Sequence, residues 1–270
     1  MSDAYTELGR MGVEVGATAL PYEADPYGDK ARVVWAGVLS LWGPSSALAS
    51  CPVATTDGAA RTLVLQRCCE LAGRQEHGIG SEDEPAVLRC LTPVTKLATG
   101  RWSIAGVTEA MEAIGGVGYC EDSTIPALVR NTHVIPIWEG TTNVLSLDVL
   151  RSAQRSNALE ALLDDARRLV ADLVDDPRSG EIARAVLTAL DELAKRSVEM
   201  ADDAEGAEAG ARSLALGTGS TYACALLCRQ GHWAARRGHE STATVSARLA
   251  ARGLVPALPP LDLSLAMDDE

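Results

Sequence analysis

The spacing of apolar residues along the chain predicts helices, most clearly beyond residue 151. Two segments place apolar residues three and four positions apart, as a helix with one buried face requires. They lie at Leu159, Leu162, Leu163, Ala166, Leu169, Val170 and Leu173, and at Ile182, Ala185, Val186, Leu190, Leu193 and Val198. No window alternates apolar and polar residues for long enough to indicate a strand, so the pattern predicts a nearly all-α chain.

The same reading gives shorter helices elsewhere, separated by turn signals. Pro85 suits the first turn of a helix over 86–99, in which Pro93 should cause a kink, and Ser103 is a candidate cap for a helix that ends at Ile114. Further helices are predicted at residues 4–19, 31–42, 58–73 and 207–230, and in a basic stretch at 239–252. The chain is expected to end in an extended, proline-containing tail.

A glycine-rich stretch, residues 110–151, carries most of the candidate chemistry. A helical run ends in Gly115-Gly116-Val117-Gly118-Tyr119, and a second short helix carries Arg130. A short apolar approach then leads to Glu139-Gly140-Thr141-Thr142-Asn143 at the start of a third helix. Glycines at such helix ends allow a ligand or another backbone to approach closely, and the preceding Ile137 and Trp138 favour an apolar setting for Glu139.

Composition narrows the class of protein further. The chain has 270 residues, of which 47% are apolar and 4% aromatic, with no Phe, so it can bury a substantial helical core. The net charge of −13 argues against a general nucleic-acid binder, since phosphate contacts need clustered Lys and Arg. Seven cysteines without a secretory signal predict free thiols in a reducing cytoplasm, and no apolar run is long enough to span a membrane.

Two local patterns have competing interpretations. Cys224 and Cys228 share a helix face with His232, which could begin a metal site, but small residues packed in a core with a histidine at its edge are the favoured interpretation. A basic cluster near the C-terminus could contact DNA, but its spacing favours a solvated helix face. It comprises Arg229, Arg236, Arg237, Arg248 and Arg252.

The stretch from Ala110 to Arg151 resembles the C-terminal helical domain of the acyl-CoA dehydrogenase family, in particular the branch of the alkylation-response acyl-CoA dehydrogenase-like proteins. The resemblance rests on the GG-x-GY segment and on Trp138-Glu139-Gly140-Thr141. It implies that Gly115, Gly116 and Gly118 lie against the adenosine diphosphate part of FAD. It also implies that Glu139 is the catalytic base that removes the α-proton of an acyl-CoA thioester, while the β-hydrogen leaves as hydride to the flavin.

Four further positions acquire candidate roles from the resemblance. Glu112 stands where many relatives carry a glutamine that helps to hold FAD, and a carboxylate there must turn away from the pyrophosphate or bind the ribose. Thr141 and Thr142 either touch the flavin phosphates or only cap the helix. Arg130 either faces an anionic cofactor or, as we favour slightly, forms a salt bridge with Glu121 or Asp122.

The resemblance also extends to the segment from Ser50 to Arg61, which is similar to part of the N-terminal helical domain of the same family. The β-domain that separates the two helical parts in full members is missing here, with the seam near residues 62–69. We therefore predict an all-α helical bundle, with an N-terminal remnant at 1–62, the C-terminal bundle at 63–255 and a tail at 256–270. Met1 and the continuous helical pattern across the seam favour a naturally short chain.

Three functions are compatible with this architecture. The chain could be an FAD-linked acyl-CoA dehydrogenase whose missing walls come from a complementary subunit. It could be a degenerate relative that acts as a binding or assembly protein, or a helical bundle that holds another ligand in the old site. Acyl-CoA is the expected substrate if the chain is active. The apolar helices after residue 151 predict an oligomer, through copies of this chain or a complementary subunit.

Overall fold

A computed structural model describes residues 59–201 and 204–238, and every regular element in these ranges is a helix. In chain order they are α1 (Ala59–Glu76), α2 (Glu84–Ile114), α3 (Gly116–Tyr119), α4 (Ile125–Val134), α5 (Thr142–Arg155), α6 (Ala158–Val170), a 3₁₀ turn (Ala171–Leu173), α7 (Gly180–Glu199) and α8 (Ala204–Arg236). The expected all-α class is confirmed for these ranges, which contain no strand.

The described residues fall into two compact units. One is formed by Thr99–Glu139 and the other by Ala59–Ala98 together with the described residues from Gly140 onward. The smaller unit contains the C-terminal half of α2, α3 and α4; α3 packs against α4. The larger unit contains α1, the N-terminal half of α2 and helices α5 to α8. The predicted domain limits, 1–62, 63–255 and 256–270, stay a prediction.

In the larger unit, the long helix α8 packs against α1, α5, α6 and α7. Its buried face is rich in small residues, which bring the neighbouring helices close. At Gly219, an added Cβ would lie 2.9 Å from the Cβ of Ala98, so α8 and α2 meet there at nearly backbone distance. The expected helix at 207–230 therefore exists, and it is longer than predicted at both ends.

The amphipathic patterns beyond residue 151 form α6 and α7, as predicted. The core side chains of α6 are Leu159, Leu162, Leu163, Ala166 and Val170. In α7, Val186, Leu190 and Leu193 are buried as expected, whereas Val198 is 69% exposed and Ala183 lies in the core. The predicted apolar stripe was therefore correct in period and slightly wrong in phase at the ends of α7.

One prediction about α2 was wrong. The sequence suggested a helix ending near Thr99 and a new one capped by Ser103, but α2 continues without a break from Glu84 to Ile114. The Ser103 hydroxyl is buried and donates to the Thr99 carbonyl at 2.6 Å, so it bonds back within the helix instead of capping it. Gly100 is buried too, and an added Cβ would be 3.6 Å from Ile135 and Pro136, so this glycine serves packing.

A buried polar network ties α1, α6 and α8 together. The Asp165 carboxylate accepts a hydrogen bond from Arg67 at 2.9 Å and another from the hydroxyl of Tyr222, which is only 1% exposed. Burial and the Asp165 charge raise the pKa of Tyr222 well above its ordinary value, so the phenol stays protonated. Because the buried Tyr222 hydroxyl donates to Asp165, removal of that carboxylate is expected to destabilise the fold.

The expected elements at 4–19, 31–42, 239–252 and 256–270, together with the family-like segment at 50–58, lie outside the described residues. So do Arg248, Arg252 and Cys51. Among the described helices, none is long and apolar enough to cross a membrane.

Candidate functional site

The glycine segment forms a sharp corner between α2 and α3. Gly115 follows the last residue of α2, has a φ of +75° and donates its N–H to the carbonyl of Glu112 at 3.0 Å. Its own carbonyl then accepts the N–H of Gly118 at 2.8 Å, which closes the first turn of α3. A positive φ of this kind is cheap for glycine and strained for other residues, so the corner itself explains Gly115.

The surroundings of the three glycines differ from one position to the next. A Cβ at Gly118 would lie 2.6 Å from the Met111 carbonyl oxygen and 3.2 Å from the Cβ of Ile114, so internal packing excludes a side chain there. A Cβ at Gly116 would meet nothing within 4 Å, and Gly116 does not have a positive φ. Within the described residues, neither packing nor backbone conformation therefore requires a glycine at 116.

Arg130 forms the salt bridge that the sequence favoured. Its guanidinium donates two hydrogen bonds to the Glu121 carboxylate, at 2.7 and 3.1 Å, on the surface of the smaller unit. This contact lowers the pKa of Glu121 below its ordinary value. Glu112 is exposed, so its carboxylate is free to turn toward solvent, as its expected place beside a pyrophosphate would require.

The approach to Glu139 is not the apolar pocket that the sequence suggested. Ile137 is 61% exposed, Trp138 is 39% exposed, and Glu139 itself is exposed. Apolar residues next to Glu139 in sequence create an apolar environment for its carboxylate only if another surface covers them. Here Ile137 and Trp138 are exposed, so the expectation was wrong. In this unit the large apolar side chains between 39% and 76% exposed are Ile114, Val117, Tyr119, Val134, Ile137 and Trp138. Such a concentration is typical of a surface that another molecule covers.

Glu139 has an unusual backbone. Its φ is +53°, and no other non-glycine residue among those described has a positive φ. For an L-residue this left-handed conformation costs on the order of 1–2 kcal/mol, and such strain is concentrated at functional sites. Glycine would adopt it freely. The chain therefore carries a backbone-strained glutamate three residues before α5 begins.

The residues after Glu139 start α5 with a well-formed cap. Thr141 is the N-cap, and its side-chain oxygen accepts the N–H of Val144 at 3.4 Å. Thr142 is buried, and its carbonyl accepts the hydroxyl of Ser146 at 2.8 Å. Of the two alternatives for these threonines, capping is therefore observed for Thr141. Thr142 begins the helix with its side chain away from solvent, and only Thr141 remains exposed toward a possible ligand.

Two basic residues of α2 hold α5 within the larger unit. The Lys96 ammonium donates to the Gly140 carbonyl at 2.7 Å, and Arg89 makes a bidentate contact with Asp148 at 2.9 and 2.8 Å. The latter contact lowers the pKa of Asp148. Sequence reasoning gave Lys96 no role because its partner is a backbone carbonyl 44 positions away, which no side-chain pattern reveals.

Cys224 and Cys228 follow the favoured interpretation. Both are buried in the core of α8, and burial raises the pKa of Cys224 to about 12 and that of Cys228 to about 11. His232 contacts the Asp176 carboxylate at 3.1 Å instead of pointing at the thiols. Within the described ranges, no group of histidine, cysteine and carboxylate side chains could hold a metal ion. The six cysteines in those ranges are free thiols.

The residues present fit a dinucleotide cofactor at one place. At Gly115 and Gly116 an added Cβ would meet nothing, so the backbone is open to a phosphate-bearing group. Gly118 is accounted for by packing within the chain. Glu112, the three glycines and Glu139 all belong to the smaller unit, whereas Thr141 and Thr142 belong to the larger one.

Comparison with known proteins agrees with the family that the motifs suggested. Residues 59–154 match the acyl-CoA dehydrogenase, C-terminal domain family. Acyl-CoA dehydrogenase family member 11 of Caenorhabditis elegans is 37% identical over 203 residues, which are 73% of this chain and 32% of that protein. AidB of Escherichia coli (strain K12) is 42% identical over 78 residues, which are 29% of this chain and 14% of that protein.

The fold agrees as well. The crystal structure of Caenorhabditis elegans ACDH-11 in complex with C11-CoA has a TM-score of 0.66 and 30% identity to this chain, with 93% of this chain and 42% of that one covered. The chain thus spans less than half the length of these relatives. The chain carries an acyl-CoA dehydrogenase C-terminal domain, of the branch that includes ACDH-11 and AidB.

Proposed function

We propose that this chain is the base-bearing part of an FAD-linked acyl-CoA dehydrogenase, with Glu139 as the base. The observation that carries the proposal is the left-handed backbone at Glu139, a strained glutamate directly before a capped helix. A residue that served only as a helix-terminal acid would not need this conformation, since acidic residues stabilise helix N-termini in ordinary extended or helical geometry.

In the proposed reaction, Glu139 takes the proton from the α-carbon of the thioester. The electron pair of that C–H bond forms the α,β double bond, and the β-hydrogen leaves with its own pair. FAD, when bound, supplies the acceptor for this hydride at N5 of its ring. Thr141 caps α5 two residues after Glu139 and so fixes where that helix begins. The open backbone of Gly115 and Gly116 would hold the diphosphate part of the cofactor.

Acyl-CoA as substrate class is supported by the ACDH-11 structure, which is a complex with C11-CoA. We extend this substrate class to the present chain because its residues 59–154 match the acyl-CoA dehydrogenase C-terminal domain.

The exposure of Glu139 supports a site that is completed by a second surface. A base that removes a weakly acidic α-proton works best where water is excluded, because burial tunes its pKa toward the working pH. In this chain Glu139, Ile137 and Trp138 face outward. We therefore infer that a complementary subunit, or a second copy of this chain, covers this side and supplies the walls of the flavin pocket.

The same exposed surface supports the second candidate function. A relative that had lost flavin would keep its apolar face for assembly, and would need neither the strained glutamate nor the open glycine at 116. Retention of those two features is the reason for ranking the enzyme first and the binding or assembly protein second.

Anaerobic spectroscopy tests the proposal. The purified chain is titrated with FAD, alone and with candidate partner subunits, and then receives medium-chain acyl-CoA. We expect flavin binding, bleaching of the flavin absorption by acyl-CoA, and no bleaching in Glu139→Gln, which keeps the shape and removes the base. Flavin that stays unbound in every combination would refute the enzyme and leave the assembly role.

A further inference from the structure

Two cationic side chains of α2, two helical turns apart, contact the turn before α5 and the middle of α5. Lys96 donates to the carbonyl oxygen of Gly140 at 2.7 Å, and Arg89 binds Asp148 in a bidentate contact. All four residues belong to the larger unit. The Arg89 pair fixes the body of α5, whereas Lys96 reaches the backbone immediately after Glu139.

The turn held by Lys96 has little freedom on its other sides. Gly140 has a φ of +107°, and a Cβ there would lie 3.0 Å from Cδ2 of Leu145, so its backbone rests against that side chain. Thr141 fixes the next residue by capping α5. A strained residue such as Glu139 keeps its conformation only where the surrounding contacts over-determine it.

We propose that Lys96 is a positioning residue for Glu139, which rests on the proposed role of Glu139 as base. The ammonium group fixes the Gly140–Thr141 peptide plane through its carbonyl oxygen. Together with the Leu145 contact, this peptide plane fixes the backbone position of Gly140. The backbone of Gly140 in turn sets the direction in which the Glu139 side chain projects. Lys96 does not touch the substrate in this proposal; it acts only through the backbone.

The chemistry of the contact suits this task. Lys96 is half-buried, and a hydrogen bond from a charged donor is shorter and stronger than one between neutral groups. A displacement of about 1 Å in a reacting group can lower the rate on the order of a hundredfold. Loss of the ammonium group is therefore expected to act on turnover more than on substrate affinity.

Three variants separate positioning from general stability. Lys96→Met keeps the length of the side chain and removes the donor, and Lys96→Arg keeps a cationic donor. Arg89→Met is the matched control, because it removes a polar contact between α2 and α5 without touching the turn at Gly140. Urea unfolding of each variant provides the stability reference.

The first readout needs no enzymatic activity. Glutamyl endopeptidase cleaves after glutamate only in locally unfolded chain, and mass spectrometry identifies the cut between Glu139 and Gly140. We expect Lys96→Met to be cut there at least fivefold faster than the wild type, with Lys96→Arg and Arg89→Met close to the wild type. An unchanged rate in Lys96→Met would overturn the proposal.

The second readout is the reduction of flavin by acyl-CoA in the assembly that supports it. We expect kcat to fall about 10- to 100-fold in Lys96→Met with KM nearly unchanged, substantial recovery in Lys96→Arg, and kcat within twofold in Arg89→Met. Equal losses in Lys96→Met and Arg89→Met would reduce Lys96 to a general packing contact. If the wild type reduces no flavin, the proposed function fails, and the proteolysis result alone decides whether Lys96 fixes the turn.

Discussion

Substitution of Gly116 and Gly118 by alanine separates two reasons for glycine in the same four-residue helix. The Cβ added at Gly118 would sit 2.6 Å from the backbone oxygen of Met111, and a carbonyl within α2 cannot move aside. Overpacking of this kind costs about 1–3 kcal/mol, and the better helix propensity of alanine returns up to about 1 kcal/mol. Gly118→Ala should therefore lose about 1–2 kcal/mol of unfolding free energy.

Gly116→Ala should behave in the opposite way. Its Cβ meets no atom within 4 Å, and its backbone does not have a positive φ. The change should leave stability unaltered or raise it by up to about 1 kcal/mol, because alanine restricts the unfolded chain. The same Cβ would stand where a diphosphate approaches the backbone, so FAD affinity should fall at least tenfold, or by about 1.4 kcal/mol.

Urea unfolding and FAD titration measured on both variants form the assay. We expect Gly118→Ala to lose stability and Gly116→Ala to lose flavin affinity alone. Equal destabilisation by the two changes would show that the glycine corner is a purely structural feature. Undiminished flavin binding in a stable Gly116→Ala would remove the cofactor from this corner.

The remaining predictions concern the strained glutamate and the core. Glu139→Gly should abolish acyl-CoA-dependent bleaching and yet raise unfolding free energy by about 1 kcal/mol, since glycine adopts φ +53° without strain; a loss of stability would contradict the strain argument. Asp165→Ala should cost about 3–5 kcal/mol, since it leaves the buried Tyr222 hydroxyl without its acceptor and removes one of the two carboxylates that contact the half-buried Arg67. By contrast, Asp164→Ala removes only a surface pair and should stay within about 1 kcal/mol in the same urea assay. Burial raises the pKa values of the Cys90 and Cys224 thiols to about 12, above those of the unfolded chain, so the folded state keeps protons that the unfolded state loses. Stability should then be full below about pH 9 and fall as the pH rises from 9 toward 12, by up to about 1.4 kcal/mol per pH unit for each thiol; a urea midpoint that is flat across pH 9–11 would contradict this, and alanine at either position should lessen the slope.

Sequence periodicity was sufficient for most of the helical elements. The leucines of α6 and α7 have the spacing of a buried face, and those helices are where the pattern placed them. The pattern failed at α2, because Gly100 and Ser103 look like a stop and a start. Whether a glycine ends a helix or packs inside it depends on its neighbours in space, here Ile135 and Pro136, which lie 35 and 36 positions further along the chain.

The sequence was sufficient to predict those features of the candidate site that depend on single residues or short motifs. The motif identified Glu139 and the glycine corner, and the Arg130 salt bridge followed from nearby carboxylates. The positive φ of Glu139 and the hydrogen bond from Lys96 were beyond reach, since both depend on how distant segments meet. The apolar setting of Glu139 was wrong because hydrophobic neighbours in sequence do not create a covered pocket unless another surface packs onto them.

Exchange of the α-hydrogens of an acyl-CoA with solvent deuterium is the most direct test that Glu139 acts as a base. The measurement compares the wild type with Glu139→Gln, both supplied with FAD and with any subunit that the assembly requires, and follows deuterium uptake by mass spectrometry. We expect rapid exchange with the wild type and at least a hundredfold loss with Glu139→Gln, on the order of the contribution of a positioned general base. Equal exchange by the two proteins would contradict the central claim.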